Sequence, residues 1–87
     1  MDEETLNLLS FLKVSPYRRK ILISLKDENK TPTQISNDVD DRVFHVSKIL
    51  REFKDRGLAV CVNEHKRKYR YYQLTEKGRS FLKYIEE

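Results

Sequence analysis

The chain has 87 residues, enough for one domain with a modest core, and its charged fraction of 37% nearly equals its hydrophobic fraction of 38%. A single cysteine, Cys61, excludes a disulfide within the chain, and with only two histidines we expect no structural metal site. No apolar run approaches the roughly 20 residues that span a bilayer, and the start is acidic where a secretory signal would be basic. We therefore expect a cytoplasmic protein that needs no cofactor.

The charge is distributed unevenly between the two halves of the chain. Residues 1–41 contain six basic and eight acidic residues, whereas residues 42–87 contain twelve basic and six acidic residues. The second half therefore carries the positive field that an anionic polymer would meet.

The N-terminal segment, residues 1–14, predicts a helix with an unusually wide apolar face. That face consists of Leu6, Leu8, Leu9, Phe11 and Leu12. Together with the C-terminal helix, it offers more apolar surface than a small domain needs, which is typical of an interface. We expect a homodimer built from these two helices; the alternative is that the N-terminal helix folds back onto its own domain.

Two helix starts follow. Ser15 and Pro16 predict the start of a helix that runs to about residue 26. Thr31, Pro32 and Gln34 predict a second helix with a capping box, so we assign the side chains of Thr31 and Gln34 a structural role first. The apolar residues expected to face inward are Ile21, Leu22, Leu25, Ile35 and Val39.

The next helix is predicted over residues 41–56, with Asp40 or Asp41 as its cap and Gly57 in the left-handed position that ends it. Its apolar stripe is formed by Val46, Leu50 and Phe53. At 100° per residue, the side chains that point away from this stripe are Phe44, His45, Lys48, Arg51 and Asp55.

A β-hairpin and a last helix complete the chain. Val60 and Val62 lie on one face of the first strand, and Tyr72 and Leu74 on one face of the returning strand. We interpret Cys61 as a small strand residue. Residues 63–68 form a polar hairpin tip, and residues 75–78 open the last helix, in which Phe81 and Ile85 lie one turn apart.

This order of elements resembles the winged helix-turn-helix transcriptional regulators of the ArsR/MarR-like type, especially the small archaeal ones. The resemblance rests on residues 17–22, 31–36, 45–50, 57–60 and 72–78. It implies an α+β, mostly helical fold with a two-stranded wing and extra N- and C-terminal helices. We divide the chain into an N-terminal helix (1–14), a DNA-binding core with its wing (15–74) and a C-terminal helix (75–87).

The resemblance implies a sequence-specific regulator that binds double-stranded DNA, with the helix near residues 41–56 in the major groove and the wing on the flanking backbone or minor groove. The recognition-helix candidates are Arg42, Phe44, His45, Ser47, Lys48 and Arg51. Phe44 is ambiguous, because its ring could meet a thymine methyl or a protein partner, or could pack against the preceding helix.

The wing supplies a second set of candidates: Lys66, Arg67, Lys68 and Arg70, interleaved with Tyr69 and Tyr71. Such a cationic run on a projecting ribbon suits phosphate contact, although a charge run is often only a solvated turn. Arg18 and Thr33 are secondary candidates for the DNA backbone.

Two further functions compete with this one. The outward Phe44, the acidic pair Asp40 and Asp41, and Glu52 favour a winged-helix module that binds protein, whereas the tyrosine-bearing basic wing allows RNA binding. No catalytic triad, paired-carboxylate signature or glycine-rich phosphate loop is recognisable, so we expect no enzyme.

Overall fold

In the computed structural model, which describes residues 1–86, six helices and one antiparallel hairpin follow one another along the chain. The helices are α1 (Glu3–Lys13), α2 (Pro16–Ser24), α3 (Pro32–Val39), α4 (Val43–Asp55), α5 (Glu76–Ser80) and α6 (Leu82–Ile85); the strands are β1 (Ala59–Cys61) and β2 (Tyr72–Leu74). The mostly helical α+β architecture with a two-stranded wing is therefore confirmed.

The local signals for α2 and α3 act as predicted. The Ser15 hydroxyl accepts a hydrogen bond from the N–H of Arg18 at the start of α2. At α3, Thr31 and Gln34 form the reciprocal capping box, with backbone-to-side-chain distances of 3.2 and 2.9 Å. These short-range bonds satisfy N–H groups at the helix start that have no carbonyl partner within the helix, and so they fix where each helix begins.

The predicted cap of α4 is wrong. Arg42 is the N-cap residue, and its guanidinium, which has donors only, cannot accept a bond from the first N–H groups of the helix. Asp40 adopts the left-handed conformation (φ 55°) that ends α3. The Asp41 carboxylate lies one residue too early, and it accepts bonds from the Arg42 N–H and from His45.

Five of the six helices, all except α5, contribute apolar side chains to one core around α4. Val46, Leu50 and Phe53 are buried as predicted, and Ile49 joins them. Around α4 lie buried side chains of the other elements, namely Leu8, Leu12, Ile21, Leu22, Leu25, Ile35, Val39, Leu58, Ala59, Leu74, Phe81 and Leu82. The recognition-helix candidate is thus held rigidly by its own apolar stripe.

The face of the hairpin that packs on the core is formed by Ala59 and Leu74, and Val60 lies on the opposite face. Ala59 pairs with Leu74 and both are buried, whereas Val60 pairs with Gln73 and remains 41% exposed. Lys30 adds a single antiparallel bridge to Tyr72, through N–H to carbonyl bonds of 3.2 and 2.8 Å. Val60 of β1 and Val62, which follows the strand, are both exposed, so the face predicted for the two valines is turned away from the core.

Two glycines anchor the hairpin to the helices. Gly57 ends α4 with φ 74°, as predicted. Gly78 lies against the chain at the start of the hairpin, where an added Cβ would stand 2.1 Å from the Leu58 carbonyl oxygen. The Thr75 N–H also bonds that oxygen at 3.1 Å, so the two ends of the hairpin are fixed to each other.

The terminal helices pack on their own domain. Leu8 and Leu12 of α1 are buried in the core, in agreement with the alternative in which this helix folds back. Phe11 lies beneath the guanidinium groups of Arg18 and Arg56, at 3.9 and 4.0 Å from its ring centroid. The predicted last helix is divided at Phe81, whose N–H bonds the Gly78 carbonyl three residues back.

Candidate nucleic-acid interface

The outward face of α4 has a central line of exposed side chains: Phe44, Lys48 and Arg51. These three residues share one face because they are spaced by four and three positions along the helix. At 100° per residue, that face lies opposite the buried stripe. The first side chain of the line is apolar and the next two are cationic. Phe44 is 84% exposed, so the alternative in which its ring packs against the preceding helix is wrong.

A cleft of about 850 Å³ separates α4 from the wing. One wall is the cleft-facing flank of α4, with Val43, Ser47, Arg51 and Lys54; the other is residues 67–72 of the wing; the start of α3, residues 31–34, closes one end. Five of the lining side chains are Lys or Arg, and no Asp or Glu within residues 1–86 lines the cleft. The structure therefore brings together basic residues from α4 and the wing that are distant in sequence.

The wing loop between β1 and β2 has an internal framework. The Asn63 side chain accepts a hydrogen bond from the Tyr71 N–H at 2.8 Å and donates one to the Tyr69 carbonyl at 3.0 Å. Tyr69 has a left-handed backbone with φ 58°. The Arg70 guanidinium donates to the carbonyls of Lys66 and Glu64. Arg70 lines the cleft, but its main contacts shape the loop.

The remaining wing cations point into solvent. Lys66, Arg67 and Lys68 are exposed, and none of them takes part in the six ion pairs that join residues within 1–86. Arg67 and Lys68 line the cleft, whereas Lys66 lies outside its lining. Three unpaired cations on a shaped loop form a strongly positive tip that an anionic ligand would meet first.

His45 is held at the other flank of α4. Its Nδ1 pairs with Asp41, and its ring lies edge-on to Tyr17 with centroids 5.3 Å apart, which leaves the side chain 37% exposed. Burial, the largest single influence, raises the pKa of the Asp41 carboxyl, but the bonds from His45 and the Arg42 N–H outweigh it and this pKa lies below its usual value.

The two secondary candidates differ in their surroundings. Thr33 is exposed and lines the cleft beside the wing. Arg18 donates to the Phe11 carbonyl at 3.0 Å and lies 3.5 Å from a Glu52 carboxylate oxygen. The Arg18 guanidinium is therefore engaged within the domain, on the side of α4 away from the cleft.

Lys54 was missed by sequence reasoning. It lines the cleft near the end of α4 and pairs with Glu64 at the base of the wing loop. Its position one turn after Arg51 was visible in the sequence, but only the folded hairpin reveals that this flank of α4 faces the wing.

Residues 1–86 contain neither a candidate metal site nor a candidate membrane-spanning helix. No cluster of three or more His, Cys, Asp or Glu side chains there could hold a metal ion. Among the helices of this range, none combines the length and hydrophobicity that a membrane crossing requires.

Comparison with known proteins gave structural matches only. No protein-family profile and no curated protein matches the sequence. A MarR family transcription regulator matches with a TM-score of 0.75 and 23% identity, over 94% of this chain and 56% of that one. The transcriptional repressor CouR, bound to a 23-mer DNA duplex, matches with a TM-score of 0.73 and 22% identity, over 97% and 61%.

A MarR family transcriptional regulator from Silicibacter pomeroyi matches with a TM-score of 0.72 and 23% identity, over 95% of this chain and 57% of that one. The chain thus spans less than two thirds of each of these structures. At this level of identity the likeness establishes that the chain has the winged-helix fold of MarR family transcription regulators.

Proposed function

We propose that this chain is a sequence-specific, double-stranded DNA-binding transcriptional regulator and has no enzymatic role. The observation that carries the proposal is the cleft between α4 and the wing, which is lined by five basic side chains and no acidic one within residues 1–86. Phosphate contacts supply essentially all of the affinity of non-specific DNA binding and a large share of specific binding, and they require a basic surface of this kind. The DNA duplex held by CouR, which shares the fold, gives independent support.

In this proposal α4 lies in the major groove and the N-terminal part of its outward face, as far as Arg51, meets the base edges. Arg42, Phe44, Ser47, Lys48 and Arg51 offer side chains there, and His45 contributes the exposed part of its ring. The wing cations Lys66, Arg67 and Lys68 contact the flanking backbone or minor groove, with Thr33 on a neighbouring phosphate. Arg70 acts mainly by shaping the loop that carries them.

We further propose a homodimer, in which two copies of α4 read half-sites about one DNA turn apart. Because Leu8 and Leu12 are used inside the domain, the contact would use the apolar side chains that remain open on α1, such as Leu6, which is 51% exposed, together with Tyr84 and Ile85 of α6. Membership of the ArsR-like branch, an archaeal source and a cytoplasmic location are parts of the same proposal.

One observation favours a second function, a winged-helix module that binds protein. Phe44 exposes most of its ring at the start of α4, where a partner's apolar pocket would bury it. The two functions differ in their response to salt. A module that binds through apolar contacts depends little on ionic strength, whereas DNA binding releases counterions and weakens steeply.

The test is fluorescence anisotropy with a labelled 25-base-pair duplex of random sequence at several salt concentrations. A dimer that neutralises about 6–10 phosphates should lose roughly 10³–10⁵ in affinity from 50 to 200 mM salt. Single-stranded DNA and duplex RNA of the same length serve as comparison ligands, and both should bind more weakly. Equal binding of RNA, or duplex affinity that is independent of salt, would contradict the proposal.

A further inference from the structure

The start of α4 presents an unusual group to a DNA duplex. Phe44 is the most exposed of the large hydrophobic side chains on α4, at 84%, and it begins the central outward line that continues with Lys48 and Arg51. Beside it, Val43 is 41% exposed on the cleft side. A phenyl ring can neither donate nor accept a hydrogen bond, so it cannot read the polar edges of bases.

The fold of the domain itself leaves the Phe44 ring uncovered. Its neighbours in the outward line are cations, and the Asp41 carboxylate close to the helix start is already occupied by His45 and the Arg42 N–H. A large apolar side chain at the start of a line of cations lacks the free energy that burial would provide, unless the ligand itself buries it.

The major groove offers one apolar group for such contact, the C5-methyl of thymine. We infer that Phe44 is a specificity-determining residue that packs against a thymine methyl group in the bound duplex. The inference rests on the proposed function, and it deepens that function by naming the chemical group that the first turn of α4 selects.

The division of labour along the line then follows from chemistry. Phe44 selects for a methyl, whereas Lys48, one turn later, supplies a cation for a guanine edge or a phosphate. The site bound by each copy of α4 should contain a thymine next to the position that Lys48 contacts. Sites that lack the thymine should bind with reduced affinity even when all phosphate contacts remain.

The experiment begins with selection of high-affinity duplexes from a library of 30-base-pair DNA with a randomised core, using the full chain. Each thymine of the best duplex is then replaced singly by deoxyuridine, which removes the methyl and leaves the hydrogen-bonding edge unchanged. Wild-type protein should bind about fourfold more weakly when the critical thymine is replaced, the affinity equivalent of one methyl group. Phe44→Ala should bind the thymine and uracil duplexes equally.

Two further variants make the comparison specific. Phe44→Leu retains an apolar side chain and should keep part of the discrimination. Val60→Ala removes exposed apolar surface from the outer face of the hairpin and should keep both affinity and discrimination. Because Phe44 is exposed, its replacement should leave the circular dichroism and thermal unfolding of the domain unchanged.

The outcomes are separable. If wild-type protein shows no thymine preference at any position, or if Phe44→Ala keeps the preference, the inference is overturned while DNA binding stands. If Phe44→Ala weakens thymine and uracil duplexes by the same factor and wild-type protein does not discriminate, the ring acts by stacking or wedging and the inference is also overturned. If no duplex is enriched and binding is independent of salt, the proposed function fails and the inference falls with it.

Discussion

The wing tip provides the most quantitative prediction. Lys66, Arg67 and Lys68 are exposed and take part in no ion pair within residues 1–86, so replacing all three with alanine removes three cations without breaking a described contact of their side chains. The loop should keep its shape, because its framework is made by Asn63, the Arg70 side chain and main-chain groups.

The magnitude follows from counterion release. If each cation neutralises one phosphate, the slope of log affinity against log salt should become shallower by about 2.7 per domain, at about 0.9 per contact. Over a fourfold increase in salt, from 50 to 200 mM, the ratio between wild-type and variant affinities should therefore narrow by about 40-fold for each domain that contacts the duplex. The loss should be the same for selected and scrambled duplexes, because phosphates carry no base sequence.

A matched control separates the effect of removing the wing cations from the effect of lowering the net charge. Replacement of Lys13, Lys26 and Lys83 with alanine also lowers the net charge by three from +4, but none of these residues lines the cleft. Anisotropy titrations at four salt concentrations should give a wild-type slope for this control and a shallower slope for the wing variant. Equal slopes for the two variants, or an unchanged slope for the wing variant, would refute the assignment of the wing to phosphate contact.

Three further predictions concern the recognition helix, the glycines and pH. Lys48→Ala should weaken binding to a selected duplex by about tenfold or more and binding to scrambled duplex by much less, as measured by anisotropy; equal losses would mean that Lys48 contacts only phosphate. Gly78→Ala should lower the free energy of unfolding by about 3 kcal/mol, because the new Cβ would meet a backbone oxygen 2.1 Å away. Gly57→Ala should lower it by about 1–2 kcal/mol, because alanine is strained in the left-handed conformation. Urea unfolding that gave the larger loss for Gly57→Ala would contradict the packing described. Hydrogen bonds from Lys30 and Ser24 lower the pKa of Asp38 below 3.8. The ionised Asp38 carboxylate therefore adds at most about 1 kcal/mol to the free energy of unfolding, as expected for an exposed ion pair. This stabilisation should be complete above pH 3.8 and lost as the pH falls through the lower pKa of the folded state. Thermal unfolding of wild type and Asp38→Asn should therefore converge in acid, and a gap that widened there would contradict this sign.

The sequence predicted those parts of the fold that depend on neighbouring residues. Ser15 and the Thr31–Gln34 box act within three residues, and Gly57 meets a local requirement for positive φ, so each could be recognised in the sequence alone. The apolar stripe of α4 could also be predicted from the sequence, because its spacing is set by the geometry of the helix itself.

Features that depend on competition between partners were not predicted. Asp40 and Asp41 were both possible caps of α4, but Asp40 ends α3 and Asp41 bonds the Arg42 N–H and His45, so the N-cap position falls on Arg42. The inward face of β1 follows from its pairing with β2, which buries Ala59 rather than Val60, and a short strand with apolar residues on both faces gives no clear signal.

The same limit applies to the candidate site. The sequence identified candidate basic residues, but it did not show which of their side chains would be bonded to other groups within the domain. Arg18 is engaged by Phe11 and Glu52, and Arg70 by loop carbonyls, through contacts that only the folded chain creates. Lys54 joins the cleft for the same reason, since the hairpin brings the wing to its flank of α4.

The most direct test of the central claim is an NMR titration of backbone amides with a short generic duplex at two salt concentrations. The proposal predicts shifts at residues 42–51 of α4 and residues 64–70 of the wing that fade as salt increases. Shifts that are absent, or that are confined to surfaces away from the cleft at both salt concentrations, would contradict DNA binding and direct the search to protein partners.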